Sequence, residues 1–396
     1  IEKGIECAKK AMCGFENRYI AFSIGPTGRM LKPLGDLDFE DAVQSFSDSI
    51  KIAERCGADL IICETLTDSY DTKAALLAAK ESCPLPVFVT NAYDESGKLM
   101  TGAEPRAMVA MLEGLGADAI GINCSFGPDK AEPIAEEYLK YSSVPFIVNP
   151  NAGLPTVKNG ETVYTTSSGE FSDIMRRIAE KGASVLGGCC GTTPEYIAAT
   201  IEKTKNIPYE YPSFKEHTLV SSYTHAVEIG KAPILIGERI NPTGKKAFKQ
   251  ALRDGDINYI LNEAVRQEEK GAHILDVNVG LPEIDEKTMM TEAVKALQGV
   301  TDLPLQLDSS STEALENALR IYNGKPLLNS VDATAEKMKK IFPLAKKYGA
   351  AVIALALDEN GITETAEGRL SAIEKIVSEA EKYGIHKKDI IADPLA

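Results

Sequence analysis

The chain of 396 residues is 44% hydrophobic and 26% charged, a composition typical of a globular protein long enough for two domains with separate cores. Its formal net charge of -15 argues against nucleic acid or an anionic membrane surface as a partner. The sequence contains no apolar run of about 18 residues and no signal-peptide pattern at its start. Eight cysteines without a secretory signal indicate a reducing compartment, so we expect a cytoplasmic protein, and we expect a monomer.

Short apolar, β-branched runs alternate with helical patterns through the first half of the chain. The amphipathic stretches between the runs often end in Gly-Ala, which is typical of a helix that ends before a strand. Runs that are apolar almost throughout indicate strands buried on both faces, and hence a parallel sheet with helical crossovers. The six predicted strands lie in "YIAFSIG", "LIICETL", "VFVTNAY", "AIGINCS", "FIVNPNA" and "VLGGCCG".

The segment 207–232 interrupts this alternation. It is rich in aromatic residues and contains prolines and two of the four histidines, without a clear period, so we predict a structured connector rather than a flexible linker. The alternation then resumes, and six further strands are predicted in "ILIGERIN", "ILDVNVG", "LPLQLDSS", "LLNSVD", "AVIALALD" and "DIIADPLA".

Repeated strand-helix units of this kind predict an α/β fold made of two consecutive (β/α)8 TIM barrels, each represented by only six strands. The predicted domains are 1–206, the connector 207–232, and 233–396. We expect the chain to be part of a longer polypeptide, with the first barrel lacking its N-terminal strands and the second its C-terminal strands. A doubly wound open sheet is the alternative, but the Gly-x-Gly-x-x-Gly pattern after a first strand is missing.

Polar and thiol side chains stand where the predicted strands of the first half end. Active sites of such barrels lie at the carboxyl ends of the strands, so Glu64, Cys124, Cys189 and Cys190 should face one mouth. Three thiolates and one open position suit a catalytic zinc ion that accepts an exogenous thiol and deprotonates it. The alternative is small core cysteines or a disulfide between the adjacent pair. The other five cysteines are assigned to packing: Cys7, Cys13, Cys56, Cys63 and Cys83.

The motifs "GINC" and "GGCCGTTPEYI" resemble the homocysteine S-methyltransferase domain over residues 1 to about 206. The resemblance implies a zinc ion held by Cys124, Cys189 and Cys190, which would be both metal ligands and catalytic groups. It also implies that Glu64 receives the α-ammonium group of homocysteine, which a carboxylate can do through a charged hydrogen bond. The alternative for Glu64 is a salt bridge to a neighbouring lysine.

Carboxylates and carboxamides end the predicted strands of the second half. A ring of acceptors with few cations suits a flat heterocycle edged with N–H donors, such as the pterin of folate. For any one of these residues the alternative is a helix cap or an Asx turn. The acceptors are Glu238, Asn241, Asp276, Asn278, Asp308, Asn329, Asp332, Asp358 and Asp393.

This second set resembles the pterin-binding barrels, which include dihydropteroate synthase and the methyltetrahydrofolate methyltransferases. The resemblance matches Asp308, Asn329 and Asp393 to pterin-contacting positions, with Asn241 as a further contact, and we place Asn329 near N5 as a catalytic group. Glu238, Asp276 and Asn278 complete the predicted folate-binding set.

The succession of the two domains resembles the N-terminal half of the cobalamin-dependent methionine synthase family. That resemblance implies transfer of a methyl group from 5-methyltetrahydrofolate to homocysteine through cobalamin. The cobalamin would be bound by a module absent from this chain. The histidine that ligates cobalt in this family stands in an Asp-x-His-x-x-Gly motif, and none of the four histidines of this chain has an aspartate two residues before it. Two alternatives are kept: a fusion with methylenetetrahydrofolate reductase, which would bind flavin, and a structural zinc scaffold with closed coordination.

Overall fold

The structure, a computed structural model, describes residues 1–158 and 160–395. It divides into two compact units, Ile1–Lys215 and Glu216–Ala396. Among the described residues, no helix combines the length and the apolar character that a membrane span requires.

The first unit is built on a six-stranded parallel sheet with strands in sequence order, β1-β2-β3-β4-β5-β8. The strands of the unit are β1 (Ala21–Ile24), β2 (Leu60–Leu66), β3 (Val87–Asn91), β4 (Ala119–Cys124), β5 (Phe146–Pro150), β6 (Pro155–Lys158), β7 (Glu161–Tyr164) and β8 (Val185–Leu186). Its helices are α1 (Glu2–Met12), α2 (Phe39–Arg55), α3 (Ser69–Ser82), α4 (Pro105–Gly114), α5 (Pro128–Tyr141), α6 (Ser168–Glu180) and α7 (Pro194–Thr204).

The apolar pattern of each element explains its place in this unit. Helix α2 buries Phe39, Val43, Phe46 and Ile50, which recur at helical spacing and so line one face. In β4 the first five residues are all buried, as expected for a strand covered on both faces. A helical crossover returns the chain to the start of the sheet after each strand. Because all strands of this sheet are parallel, they all end at the same edge.

The second unit repeats the arrangement with the strand order β11-β12-β13-β14-β15-β18, all parallel. Its strands are β9 (Thr218–Ser221), β10 (Ala226–Ile229), β11 (Ile236–Ile240), β12 (Ile274–Val277), β13 (Leu305–Asp308), β14 (Leu327–Val331), β15 (Ala351–Leu355), β16 (Leu357–Asp358), β17 (Gly361–Ile362) and β18 (Ile390–Asp393). Its helices are α8 (Lys246–Arg253), α9 (Ile257–Glu269), α10 (Glu286–Leu297), α11 (Thr312–Ile321), α12 (Ala335–Tyr348) and α13 (Ala366–Lys382), with a short 3-10 helix at Lys387–Asp389. The prediction of an α/β fold with two six-stranded parallel sheets is confirmed.

Three antiparallel hairpins among the described residues were not predicted: β6–β7, β9–β10 and β16–β17. The hairpin β9–β10 lies inside the segment predicted as a connector and belongs to the second unit. Its Val220 packs against Ile274, Leu327 and Ala351, which begin three strands of the sheet. The hairpin therefore covers the amino-terminal end of the second sheet, opposite the edge that carries the predicted polar residues.

The five remaining cysteines do not share one environment. Cys63 is buried in β2, whereas Cys56 and Cys83 are half-buried. Cys7 and Cys13 are exposed, so the assignment of these two to packing is wrong. Helix α1 buries only Ile5, and Cys7 and Cys13 lie outside that narrow contact.

Candidate functional site

Three thiols meet at the carboxyl edge of the first sheet. Cys124 ends β4, and Cys189 and Cys190 follow β8, so parallel strands deliver them to one place. The three Sγ atoms lie within 4.8 Å of one another, with Cys190 Sγ 3.9 Å from that of Cys124 and 4.0 Å from that of Cys189. Three thiolates on tetrahedral zinc lie about 3.8 Å apart, given Zn–S bonds of about 2.3 Å. The donor set therefore fits zinc, and the adjacent pair consists of free thiols rather than a disulfide.

The backbone around the thiols is held by β5 and the turn after it. Cys124 and Ser125 both have left-handed backbone conformations, with φ of 62° and 63°, which turn the chain out of β4. The amide N–H of Cys189 donates to the carbonyl of Pro150 at 2.8 Å, and that of Cys190 donates to the side-chain oxygen of Asn151 at 3.0 Å. The backbone of Cys189 and Cys190 is thus held by hydrogen bonds that do not involve their sulfur atoms.

Gly191 explains why glycine follows the paired cysteines. Its φ is +78°, and a Cβ added there would lie 2.2 Å from a ring carbon of Tyr164. The Tyr164 ring, which ends β7, thus packs against the turn that carries Cys190. Sequence reasoning missed Tyr164, because the hairpin that presents it was not predicted.

A hydrogen bond between Cys124 and Cys189 shifts the pKa values of these two thiols in opposite directions. The hydrogen bond from the Cys189 thiol, joined by those from the Ser125 amide, the Cys190 thiol and the Asn151 side chain, lowers the pKa of Cys124 to about 5 against the opposing effect of burial. The same interaction with Cys124, together with burial, raises the pKa of Cys189. Cys124 therefore ionises before Cys189, and a thiolate is the form that binds a metal ion.

Glu64 stands at the carboxyl edge of β2, on the same side of the sheet as the thiols. It accepts a short hydrogen bond from the hydroxyl of Ser23, which lies on β1. Within residues 1–158 and 160–395 no lysine or arginine pairs with Glu64, so the salt-bridge alternative does not hold there. The Glu64 carboxylate can still accept hydrogen bonds from a cationic group of a ligand.

Four of the predicted folate residues form hydrogen-bonded pairs at the carboxyl edge of the second sheet. Asn278 Nδ2 donates to Asp308 Oδ2 at 2.9 Å, and Asn329 Nδ2 lies 3.5 Å from Asp276 Oδ1. The register places Asp308 beside Asn329 on adjacent strands. These side chains therefore make one continuous polar surface across β12, β13 and β14.

The other predicted folate residues make local contacts. Asn241 Oδ1 accepts from the amide of Thr243 at 2.9 Å, and Asp393 Oδ1 accepts from the amide of Leu395 at 2.9 Å, so both hold turns after their strands. Glu238 pairs with Lys245 Nζ at 3.2 Å. Contact of these three residues with a ligand stays a prediction.

Gln306 is a member of the second polar group that sequence reasoning missed. It is 6% exposed, its Nε2 donates a short hydrogen bond to Asp276 Oδ1, and its buried Oε1 has no hydrogen-bond partner. The available signal was one polar residue inside the apolar run of β13, two positions before Asp308 and therefore on the same face.

Burial controls the acidity of the second group. It raises the pKa of Asp276 from 3.8 to about 6, and the nearby charge of Asp308 adds to that rise. Burial likewise raises the pKa of Asp308. Both carboxyls are held in the structure although their charged forms are disfavoured there, which is typical of functional sites.

We expect Asp276→Asn to stabilise the protein at pH 8. A carboxyl whose pKa is raised on folding favours the folded state only while it is protonated, so its contribution is full below pH 3.8 and is lost as the pH rises through about 6. A rise of this size corresponds to about 3 kcal/mol at most. Asparagine carries no charge, and Gln306 can rotate its amide to accept from it.

The measurement is the urea denaturation midpoint at pH 5 and at pH 8. The gain from Asp276→Asn should be larger at pH 8, whereas Glu283→Gln, at an exposed carboxylate, should show no such difference. An equal gain at both pH values would contradict the assigned titration of Asp276.

The two sheets and their polar edges define a two-domain α/β enzyme with a thiol cluster suited to a metal in one domain and an acceptor-rich site in the other. Residues 1–204 match the sequence model of the family described as homocysteine S-methyltransferase. Residues 237–396 match that of the family described as pterin binding enzyme. The chain belongs to the homocysteine S-methyltransferase family.

Two curated relatives match almost the whole chain. Methionine synthase of Mycobacterium leprae is 32% identical over 397 residues, and that of Mycobacterium tuberculosis is 31% identical over 392 residues. Each match covers 96% of this chain and 33% of the relative, so the chain spans about a third of the length of these relatives. Among solved structures, the metallated form of the homocysteine methyltransferase MmuM from Escherichia coli is 24% identical, with a TM-score of 0.41, covering 51% of this chain and 69% of that one.

Proposed function

We propose that the first unit binds homocysteine as a thiolate on zinc and that the second unit binds 5-methyltetrahydrofolate. In this proposal the methyl group passes from the folate to homocysteine by way of cobalamin, which gives methionine and tetrahydrofolate. The observation that carries the proposal is the convergence of Cys124, Cys189 and Cys190 at the carboxyl edge of the first sheet, in the unit that matches the homocysteine S-methyltransferase family. The pterin-binding match of the second unit and the names of the two mycobacterial relatives support it.

In the first unit the three cysteines would hold the metal, and Glu64 would accept the α-ammonium group of the substrate. Zinc, when bound, would keep the substrate thiol deprotonated at neutral pH. Ser23 donates to Glu64 and so orients its carboxylate toward the substrate. The protein thus fixes both ends of the amino acid, which contributes orientation to the reaction.

In the second unit the acceptors of Asp276, Asn278, Asp308 and Asn329 would face the N–H donors of the pterin ring. A carboxylate that accepts hydrogen bonds from such donors binds a pterin in a fixed orientation. The folate N5 is a good leaving group in methyl transfer only when it is protonated. We place Asn329 beside N5. The contribution of this unit would be to hold the pterin and to exclude water.

The test of the function is metal content and ligand binding on the purified chain. We expect about one zinc per chain and a change in the zinc-edge absorption spectrum when homocysteine is added. Titration calorimetry should show proton release with homocysteine and separate binding of methyltetrahydrofolate. A flavin spectrum would favour the reductase fusion, and zinc without any response to thiols would favour the closed scaffold.

Replacing Glu64 tests the ammonium contact. Glu64→Gln should weaken homocysteine binding about tenfold to a hundredfold, because a hydrogen bond to a charged group contributes about 1.5–3 kcal/mol. Binding of 4-mercaptobutanoate, which lacks the amino group, should be unchanged. Both dissociation constants can be measured by calorimetry.

The matched control for this substitution is Glu136→Gln, at a glutamate that pairs with Lys181 on the protein surface. It should leave the affinity for both thiols as it is. If Glu64→Gln weakened both thiols equally, Glu64 would not be the ammonium receptor.

A further inference from the structure

The side chain of Asn123 lies between the two ends of the proposed homocysteine site. It immediately precedes Cys124 on β4 and is 2% exposed. Its Oδ1 accepts from the amide N–H of Thr65 at 2.8 Å and from the hydroxyl of Thr90 at 2.8 Å. Its Nδ2 donates to the hydroxyl of Thr65 at 2.7 Å. One buried amide therefore joins β2, β3 and β4.

These hydrogen bonds hold Thr65 in a conformation that it would otherwise avoid. Thr65 has a φ of 60°, in the left-handed region that β-branched residues rarely adopt. The register of β2 against β3 shifts between Cys63 and Leu66, so the strand is irregular at this point. Such irregularities redirect a neighbouring side chain, and the neighbour of Thr65 is Glu64.

The same asparagine is fixed on its other side by the sheet. Asn123 pairs in register with Asn149 of β5, and the chain turns out of β4 directly after it at Cys124. Two irregular backbone segments, one carrying the carboxylate and one carrying a thiol, thus meet at a single side chain. The contacts to Thr65 are two hydrogen bonds, so the link permits little rotation.

We propose that Asn123 is a positioning residue that sets the separation between the Glu64 carboxylate and the thiol cluster. The separation would select an α-amino acid whose thiol lies two carbons beyond the α-carbon, over cysteine and over thiols without an amino group. The inference rests on the proposed function and adds the element that determines its substrate selectivity.

The experiment measures thiol selectivity without turnover. The protein is loaded with cobalt(II) in place of zinc, and the visible spectrum is titrated with homocysteine, cysteine and 4-mercaptobutanoate. For Asn123→Ala we expect full metal content, unchanged affinity for 4-mercaptobutanoate, and a loss of about tenfold in affinity for homocysteine. The preference for homocysteine over cysteine should shrink with it.

Two further variants separate positioning from folding. Thr90→Val removes one hydrogen bond to Asn123 and leaves both contacts to Thr65, so it should keep the selectivity ratio of the unmodified protein. Asn123→Asp keeps the acceptor for the Thr65 amide and should retain more of the ratio than Asn123→Ala. Asn123→Asp also provides the measurement if the alanine variant fails to fold.

The outcomes distinguish this inference from the proposed function. An unmodified protein that binds no thiol at its metal would overturn both. If it binds homocysteine selectively and the Asn123 variants keep that ratio, only the role of Asn123 is overturned. Equal weakening of all three thiols, or loss of the metal, would make Asn123 a structural residue and would also overturn the inference.

Discussion

Cys189→Ala should abolish stoichiometric zinc binding and stop methyl transfer to homocysteine. Two thiols would remain where the proposed site needs three, one at the end of β4 and one in the turn after β8. Changes to residues that merely support metal ligands cost about tenfold to a hundredfold in affinity or activity, so loss of a ligand should exceed that range. Zinc per chain is measured by mass spectrometry, and transfer is assayed with free methylcobalamin as the donor.

Cys56→Ala is the matched control, because it also removes a free, partly exposed cysteine but one that lies at the end of α2. It should retain zinc and transfer. The folate-dependent half-reaction should survive in both variants, since its proposed residues lie in the other unit. A variant of Cys124, Cys189 or Cys190 with full zinc and full activity would show that the three-thiolate assignment is wrong.

Asp308→Ala and Asn329→Ala should each weaken the binding or the demethylation of methyltetrahydrofolate by about tenfold to a hundredfold. Loss of a buried hydrogen bond to a charged group corresponds to about 1.5–3 kcal/mol. Asp308 also accepts from Asn278, so its removal leaves that amide without its partner. The measurements are calorimetric affinity for methyltetrahydrofolate and the rate of methyl transfer from it to cobalamin.

Homocysteine methylation from free methylcobalamin should stay near normal in both folate-site variants. Asn317→Ala, at a half-buried position on α11, is the control substitution in the same unit and should change neither half-reaction. Equal damage to both half-reactions by Asp308→Ala would mean that the variant is misfolded or that the two reactions share a site.

The alternation of strands and helices could be predicted because a short apolar run such as "AIGIN" by itself indicates a strand that is buried on both faces. In each sheet the edge that carries the polar residues follows from the same pattern, since parallel strands all end at one edge: Cys124 lies at that edge in the first sheet and Asp308 in the second. The meeting of Cys124 with Cys189 and Cys190 was therefore predictable, and the structure confirms that the three thiols converge.

Contacts that depend on register between strands could not be predicted. Asn123 reaches Thr65 and Gln306 reaches Asp276 across neighbouring strands, and neither strand alone encodes which of its residues will be opposite. The hairpin β9–β10 was missed for a related reason. Its strands have four residues each, too few for a period of two to stand out among aromatic and polar neighbours.

The position of that hairpin also separates the residues that determine stability from those proposed to determine specificity in the second unit. Val220 packs at the amino-terminal end of the sheet, and Tyr322 donates from its hydroxyl to the carbonyl of Ser221 at 2.8 Å, so the hairpin anchors the end opposite the proposed ligand-binding edge. Substitutions there should change the melting temperature without altering substrate preference. A laboratory evolution programme could therefore introduce stabilising changes around β9–β10 first. The added stability would then compensate for destabilising substitutions that create new specificities at the opposite edge.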